Sequence, residues 1–248
     1  MTPLTIILTN PTMNTPTRKR SGFTLIELLT VIAIIGILAA VLFPGVQGVM
    51  KKAKMSTAST KVRNIGQAYI SFASTGNKYI KNGNWSADKA NTSASTLPEW
   101  AAVLAYNADL NAAELWYVDA DKKNETASFP KQVLTGVGTA QIIDDKFKTP
   151  SADSGYHSWA TYVPVPKNLT ERLPLIWTRG LGTDGKWDMA DGVWGSDGGH
   201  IAWGDSHVTW VSDTSSDDNM FISKVDGTPN ADWNKAVTTT TVTALESK

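Results

Sequence analysis

Cysteine is absent from all 248 residues, so no disulfide staples this chain, and its folded part must be held by packing or by a metal ion. Histidine is scarce. With no cysteine and no His-x-x-x-His spacing, His157, His200 and His207 make no zinc signature and read as partly exposed strand residues. An excess of positive charge is also missing: 23 Lys+Arg stand against 23 Asp+Glu. Three of the basic residues, Arg18, Lys19 and Arg20, lie in the first 22, which hold no acid, so the remainder carries 20 basic against 23 acidic side chains. That balance argues against a general nucleic-acid binder, which needs a basic footprint to neutralise phosphates. Charge is scarcest between Phe23 and Phe43, where Glu27 is the one ionisable side chain.

The run from Phe23 to Phe43 gives about 31 Å of helix at ~1.5 Å per residue, enough to cross a hydrocarbon core of ~30 Å. A secretory signal would place its small-residue cleavage site after the apolar stretch, whereas here the basic patch and Gly22 precede it, so the apolar segment should be retained after processing. Arg18, Lys19 and Arg20 immediately before the span put the leader in the cytoplasm and the remainder across the membrane, although Lys51, Lys52 and Lys54 beyond the other end weaken the asymmetry. Glu27 has two readings. It is a carboxylate near enough to the interface to reach water, or one that is paired and functional, as ionisable groups inside spans tend to be. Pro44 follows the run, flanked by Gly45 and Gly48, and predicts a kink or weak point.

Gly22-Phe23-Thr24-Leu25-Ile26-Glu27 resembles the processing motif of the prepilin family, the type IV pilins and the pseudopilins of type II secretion. The resemblance implies cleavage after Gly22 and N-methylation of the new terminus at Phe23 by a prepilin peptidase/methyltransferase. It gives Glu27 a partner, the N-terminal amine of Phe23 on an adjacent subunit, and it marks Pro44 as the segment that can melt during assembly. It also implies an inner-membrane assembly platform and other pilin or pseudopilin subunits as partners.

Beyond Pro44 the apolar positions Val46, Val49, Ala53, Ala58, Val62, Ile65, Tyr69 and Phe72 recur mostly at spacings of three and four, which predicts an amphipathic helix ending near Gly76 and packed on the head. Thr96-Leu97-Pro98-Glu99 fits a capping box with proline in the first turn, and Asn111-Ala112-Ala113-Glu114 suggests a second helix start. The runs 158–165, 175–178, 200–203 and 207–211 read as strands, the last two as a hairpin across Gly204-Asp205-Ser206. In that hairpin Ile201 with Trp203, and Val208 with Trp210, present an apolar face suited to cover the helix. The tail beyond about Gly227 shows no strong pattern.

Residues 197–208 resemble the C-terminal hairpin of a pseudopilin-like family with a His, nine residues, then Asp-Gly; here Gly195 stands for the His and Ser206 for the glycine. Gly204-Asp205-Ser206 with Asp197-x-x-His200 also offers a hydrolase pattern, in the reverse of the order such enzymes use and without a Gly-x-Ser-x-Gly elbow. Most of the ten tryptophans lie from Trp159 onward; a coplanar exposed row would mark a binding module and a buried cluster a core. Asp184, Asp188 and Asp191, interleaved with glycine, are candidate calcium ligands, although their spacing is not that of an EF-hand and Asp and Gly also dominate ordinary turns.

The expectation is therefore an α+β chain with a leader over 1–22, a pilin-like helix over 23–76 whose part 23–43 spans the membrane, and a head over 77–248 built on a small antiparallel sheet. It is read as a non-enzymatic structural subunit of a pseudopilus at the inner membrane supporting type II protein secretion, single-pass, with its head periplasmic. The alternative is a surface type IV pilus used in adhesion, motility or DNA uptake; a membrane-anchored binding module or hydrolase is the reading from another class.

Overall fold

The computed structural model of the protein describes residues 22–76, 78–215, 221–237 and 242–247, and at Pro44 the backbone only. Arg18, Lys19 and Arg20 lie outside the described residues. Two compact units divide between Gly48 and Val49.

The first unit holds the beginning of helix α1 (Leu25–Ser74). From Leu25 to Phe43 its mean hydropathy is 2.8 and none of its side chains is buried, which makes it the one helix among the described residues long and apolar enough to cross a membrane. The helix starts two residues after Phe23, because Thr24 acts as its cap. It runs through position 44 without a break. Pro44 has no N–H to give to the carbonyl of Ala40, so the ladder lacks one hydrogen bond there.

In the second unit α1 shows one buried stripe: Ala58, Val62, Ile65, Tyr69 and Phe72 are at most 2% exposed. Val49 and Ala53 of the predicted stripe are exposed, so the packed face begins near the half-buried Met55. A short parallel pair, β1 (Lys81–Asn82) and β2 (Ser93–Ala94), leads to α2 (Leu97–Ala108). Thr96 caps α2 as predicted, accepting from the Glu99 N–H, while the Glu99 carboxylate reaches back one residue further, to the N–H and hydroxyl of Ser95. Tyr69 stacks on Trp100 at 5.4 Å, and Trp116 packs edge-on against Trp100 at 6.0 Å, so α2 is held to α1 by aromatic contact. The second predicted start yields a single 3-10 turn, Ala113–Trp116. Asn111 does not cap it; its side-chain amide bonds both the N–H and the carbonyl of Leu134.

An antiparallel pair, β3 (Leu134–Thr135) with β4 (Ile142–Ile143), and the one-turn helix α3 (Asp145–Lys148) precede the main strands. These are β5 (Trp159–Val163), β6 (Pro174–Thr178), β7 (Val193–Ser196), β8 (Gly199–Trp203) and β9 (Val208–Val211). A small pair, β10 (Phe221–Ile222) with β11 (Pro229–Asn230), then α4 (Trp233–Val237) and β12 (Thr243–Glu246) complete the chain. The antiparallel five-stranded sheet has the order β12-β5-β6-β8-β9. Its layout behind a long apolar helix is α+β and pilin-like. The edge strand β12 comes from the tail in which the sequence shows no pattern.

The sheet is covered on both faces, where the sequence suggested one. Every residue of β5 and β6 is buried. Register sets Ala202 opposite Val208 and Ile201 opposite Thr209, so Val208 and Trp210 share a face with Ala202, while Ile201 and Trp203 point the other way. The Ala202 face meets α1: a methyl added at Gly66 would lie 3.7 Å from the Ala202 Cβ. On the other face Trp177, Tyr162 and Trp233 cluster at 4.8 to 6.1 Å, and Trp203 packs on Phe221 at 5.9 Å. Trp159, Trp177, Trp187 and Trp194 are buried and Trp203 and Trp210 half-buried, which is a core cluster rather than an exposed row.

The β8–β9 turn contains Ser206 at φ +67°, a left-handed conformation that favours glycine. Ser206→Gly should therefore raise the thermal midpoint of the detergent-solubilised chain, stabilising it by about 0.5–1 kcal/mol after the larger unfolded-state entropy of glycine is offset. A lowered midpoint would show that the Ser206 side chain, packed near Gly66, contributes more than the backbone strain costs.

Candidate functional site

At the start of α1 the Thr24 hydroxyl accepts from the Glu27 N–H at 3.3 Å, and a Glu27 carboxylate oxygen accepts from the Thr24 N–H at 2.9 Å and from the Thr24 hydroxyl at 2.7 Å. This is a reciprocal capping box, Thr-x-x-Glu, that satisfies two of the N–H groups a helix start leaves open. Sequence reading weighed Glu27 as an interfacial carboxylate against one paired with the Phe23 amine of an adjacent subunit; its pairing with the threonine three residues earlier was the missed signal. Gly22 and Phe23 are exposed residues directly before the cap, and among the described residues a methyl built on Gly22 would meet nothing within 4 Å. Gly22, Phe23 and Glu27 thus sit together, and Pro44 lies nearly five helical turns further on.

The residues singled out in the head do not assemble a reaction centre. Asp197 is ion-paired to Lys51 at 2.5 Å, which holds its carboxyl below the usual range, whereas His200 is buried against the edge-packed rings of Trp194 and Trp210. Gly204, Asp205 and Ser206 form the turn at the far end of β8, roughly 17 Å along the strand. There Asp205 bonds the His207 ring at 2.5 Å. His157 and His200 are buried, not partly exposed: His157, just before β5, packs on the Tyr117 and Phe147 rings, and His200 lies in the covered strand β8. His207 alone fits the expectation. In the Asp184 to Asp191 stretch, Asp184 accepts from the Lys186 N–H, Asp188 accepts from those of Ala190 and Asp191, and Asp191 is paired with Lys123. Among the described residues no group of three His, Asp or Glu side chains is placed to hold a metal ion.

Sequence reading missed a buried ion pair. Arg179 and Asp121 are 1–2% exposed at the side chain and meet at 2.9 Å. The guanidinium also donates to the carbonyls of His157 at 2.6 Å and Asp191 at 3.0 Å, while Asp121 accepts from the Ser158 hydroxyl at 2.8 Å. Ser158 in turn accepts from the Val118 N–H, so four chain segments converge on the pair. Removing one partner strands the other charge, at a typical cost of about 3–5 kcal/mol. The neighbouring His157 bonds the Ser247 hydroxyl at 2.7 Å, clipping the end of β12 to β5.

Residues 17–43 match the family model described as the prokaryotic N-terminal methylation motif. The chain is 43% identical over 61 residues to the type IV major pilin protein PilA of Myxococcus xanthus (strain DK1622), a stretch that covers 25% of this chain and 28% of that protein. No solved structure matches. The N-terminal segment is therefore type IV prepilin-like, and its apolar helix fits a single-pass membrane anchor.

The buried histidines give the head a pH dependence of known sign. Burial, together with the nearby Arg179 charge, pulls His157 down to about 3, and burial pulls His200 down to about 4. In the unfolded chain both take a proton near pH 6.5, so between that value and the folded one the unfolded state binds more protons and stability falls as pH falls. Urea unfolding of the detergent-solubilised chain should be insensitive to these groups above pH 6.5 and should lose about 2 kcal/mol per histidine by pH 5. Unchanged stability between pH 7.5 and pH 5 would place both imidazoles in water.

Proposed function

We propose that this chain is a structural, non-enzymatic subunit of a pilin-type filament assembled from the inner membrane, and specifically of a pseudopilus that supports type II protein secretion. The observation that carries the filament reading is the Gly22-Phe23 bond placed directly before a capped, fully exposed apolar helix whose first turn bears Glu27. A prepilin peptidase/methyltransferase cuts after Gly22 and methylates Phe23, with the leader cytoplasmic and the head across the membrane. Glu27 then receives the methylated amine of Phe23 from an adjacent subunit while the apolar helices bundle. The β8–β9 hairpin, with its likeness to a pseudopilin-like head, supports the export filament; similarity to a type IV major pilin protein of Myxococcus xanthus supports a surface type IV pilus as the second reading. Calcium at Asp184, Asp188 and Asp191 belongs to the same proposal as an added staple of the head; the three carboxylates would have to regroup around the ion, Asp184 and Asp188 leaving their turn N–H groups and Asp191 leaving Lys123.

Two variants separate the registry role of Glu27 from its cap. Thr24→Ala removes the two bonds of the Thr24 hydroxyl and keeps the carboxylate with its bond from the backbone N–H of residue 24; Glu27→Leu removes the carboxylate and both bonds to it, leaving the N–H of residue 27 on the Thr24 hydroxyl. Mass spectrometry should find membrane-extracted protein of either variant beginning at N-methylated Phe23. Thr24→Ala should enter filaments at close to the wild-type level, and Glu27→Leu should insert normally yet enter them at least tenfold less. Equal loss in both would reduce Glu27 to a helix cap, and an intact leader on assembled wild-type protein would remove the processing step. Neighbouring genes separate the two filaments: secretin and secretion-system genes beside this one favour export, and retraction ATPase and pilus genes favour the surface pilus.

A further inference from the structure

Away from the helix start, the backbone hydrogen bonds Lys81 N–H to Thr92 O and Val165 N–H to Ile80 O, each 2.9 Å, bring three stretches of the head side by side. They form a cleft of about 250 Å³ whose lining contains Lys78, Lys81, Lys89 and Lys167 around Tyr79 and the buried Thr92. Among the described residues no carboxylate lines it. Among the described residues none of these four lysines has an ion-pair partner, whereas Lys51, Lys61 and Lys123 pair with Asp197, Asp119 and Asp191. Asp88, close in sequence, turns its carboxylate to the Ala90 N–H. The Lys81 and Lys167 ammoniums lie 5.6 and 5.1 Å from the centre of the Tyr79 ring, so one aromatic face system gathers two like charges that would otherwise drift apart in water. Lys78 is half-buried, held by the Asn107 amide oxygen at 3.5 Å and the Phe72 ring.

We infer that this cleft is an anion site for a doubly charged oxyanion, a phosphate or sulfate group. One carboxylate would leave most of the four ammoniums uncompensated, whereas a phosphate group near pH 7 carries a charge of roughly −1.5 to −2 on three acceptor oxygens that separate lysines can each engage as point charges. The group arrives either as the free ion or borne on a larger molecule, and the chemistry of the cleft is the same for both. The site does not depend on filament assembly and is measured on the unassembled chain.

Equilibrium dialysis of the full-length chain in detergent against radiolabelled orthophosphate, with chloride holding the ionic strength constant, should show saturable binding near one ion per chain. The double variant Lys81→Gln, Lys167→Gln should bind at least tenfold more weakly with an unchanged thermal midpoint. A control double variant, Lys122→Gln with Lys186→Gln, alters two exposed lysines elsewhere on the head and should bind as wild type. Retention on beads bearing phosphoethanolamine, lost in the first double variant, assigns the site to a group on a larger carrier; dialysis binding without retention assigns it to the free ion. The inference is overturned by non-saturable uptake up to 10 mM phosphate, roughly the weak limit for such a site, or by equal loss in both double variants, which would mean diffuse counter-ions around a basic surface.

Discussion

Burial of Val62, Ile65, Tyr69 and Phe72 on one side of α1 is the contact on which the folded part of this chain depends. Full burial of side chains of this size contributes on the order of 2 kcal/mol each, an upper bound because the unfolded chain already hides part of that surface. Against a net stability of about 5–15 kcal/mol for a typical domain, four such residues decide whether the head folds. The second half of α1 is therefore core and not a spacer. Trp100 follows from it through the Tyr69 stack, Trp116 from Trp100, and Phe147 from Trp116, each ring placed by the one before.

A cysteine-free head needs other cross-links, and the structure supplies polar ones at the sheet end remote from the β8–β9 turn. Arg179 is the centre: its three nitrogens reach a carboxylate and two carbonyls from three separate stretches, and Ser158 and Val118 extend the set. A planar fork of donors suits that task where a lysine would satisfy fewer acceptors. Such a pair adds little compared with an apolar replacement of the same shape, but it tolerates only one arrangement of the loops around it. Ser247 on His157 extends the same logic to the chain end, since β12 buries Leu245 and little else in its own length.

How much of this was legible follows from the range of each interaction. The anchor helix, the α2 cap and the central strands are local patterns, and Thr96, the apolar run and the β-branched stretches declare them within a few residues. Coverage on both faces was hidden because an all-buried strand such as Trp159–Val163 and a one-faced strand differ only in what lies opposite, and Trp233 and Phe221 come from distant sequence. The Asp121–Arg179 pair and β12 were invisible for the same reason: nothing within a few residues of either marks its partner. At the candidate site the motif positions were legible one by one, but the Thr24–Glu27 reciprocity was not, because the glutamate's place in the span drew the reading away from ordinary helix capping.

That reciprocity bears on how a subunit can be stable before it has neighbours. An ionised carboxylate entering an apolar phase alone is costly, and in the single chain Glu27 avoids being alone by bonding the N–H and hydroxyl of Thr24. Both donors are neutral. An N-methylated ammonium from a neighbouring Phe23 is a charged donor, and charge-assisted bonds in a low-dielectric surrounding are stronger than neutral ones. On the proposed function, such an exchange would leave the Thr24 hydroxyl free to keep capping the Glu27 N–H, so the helix start would survive a change of partner at the carboxylate. On the proposed function, the capping box is thus a waiting position: it satisfies the acid during insertion with bonds weak enough for assembly to replace.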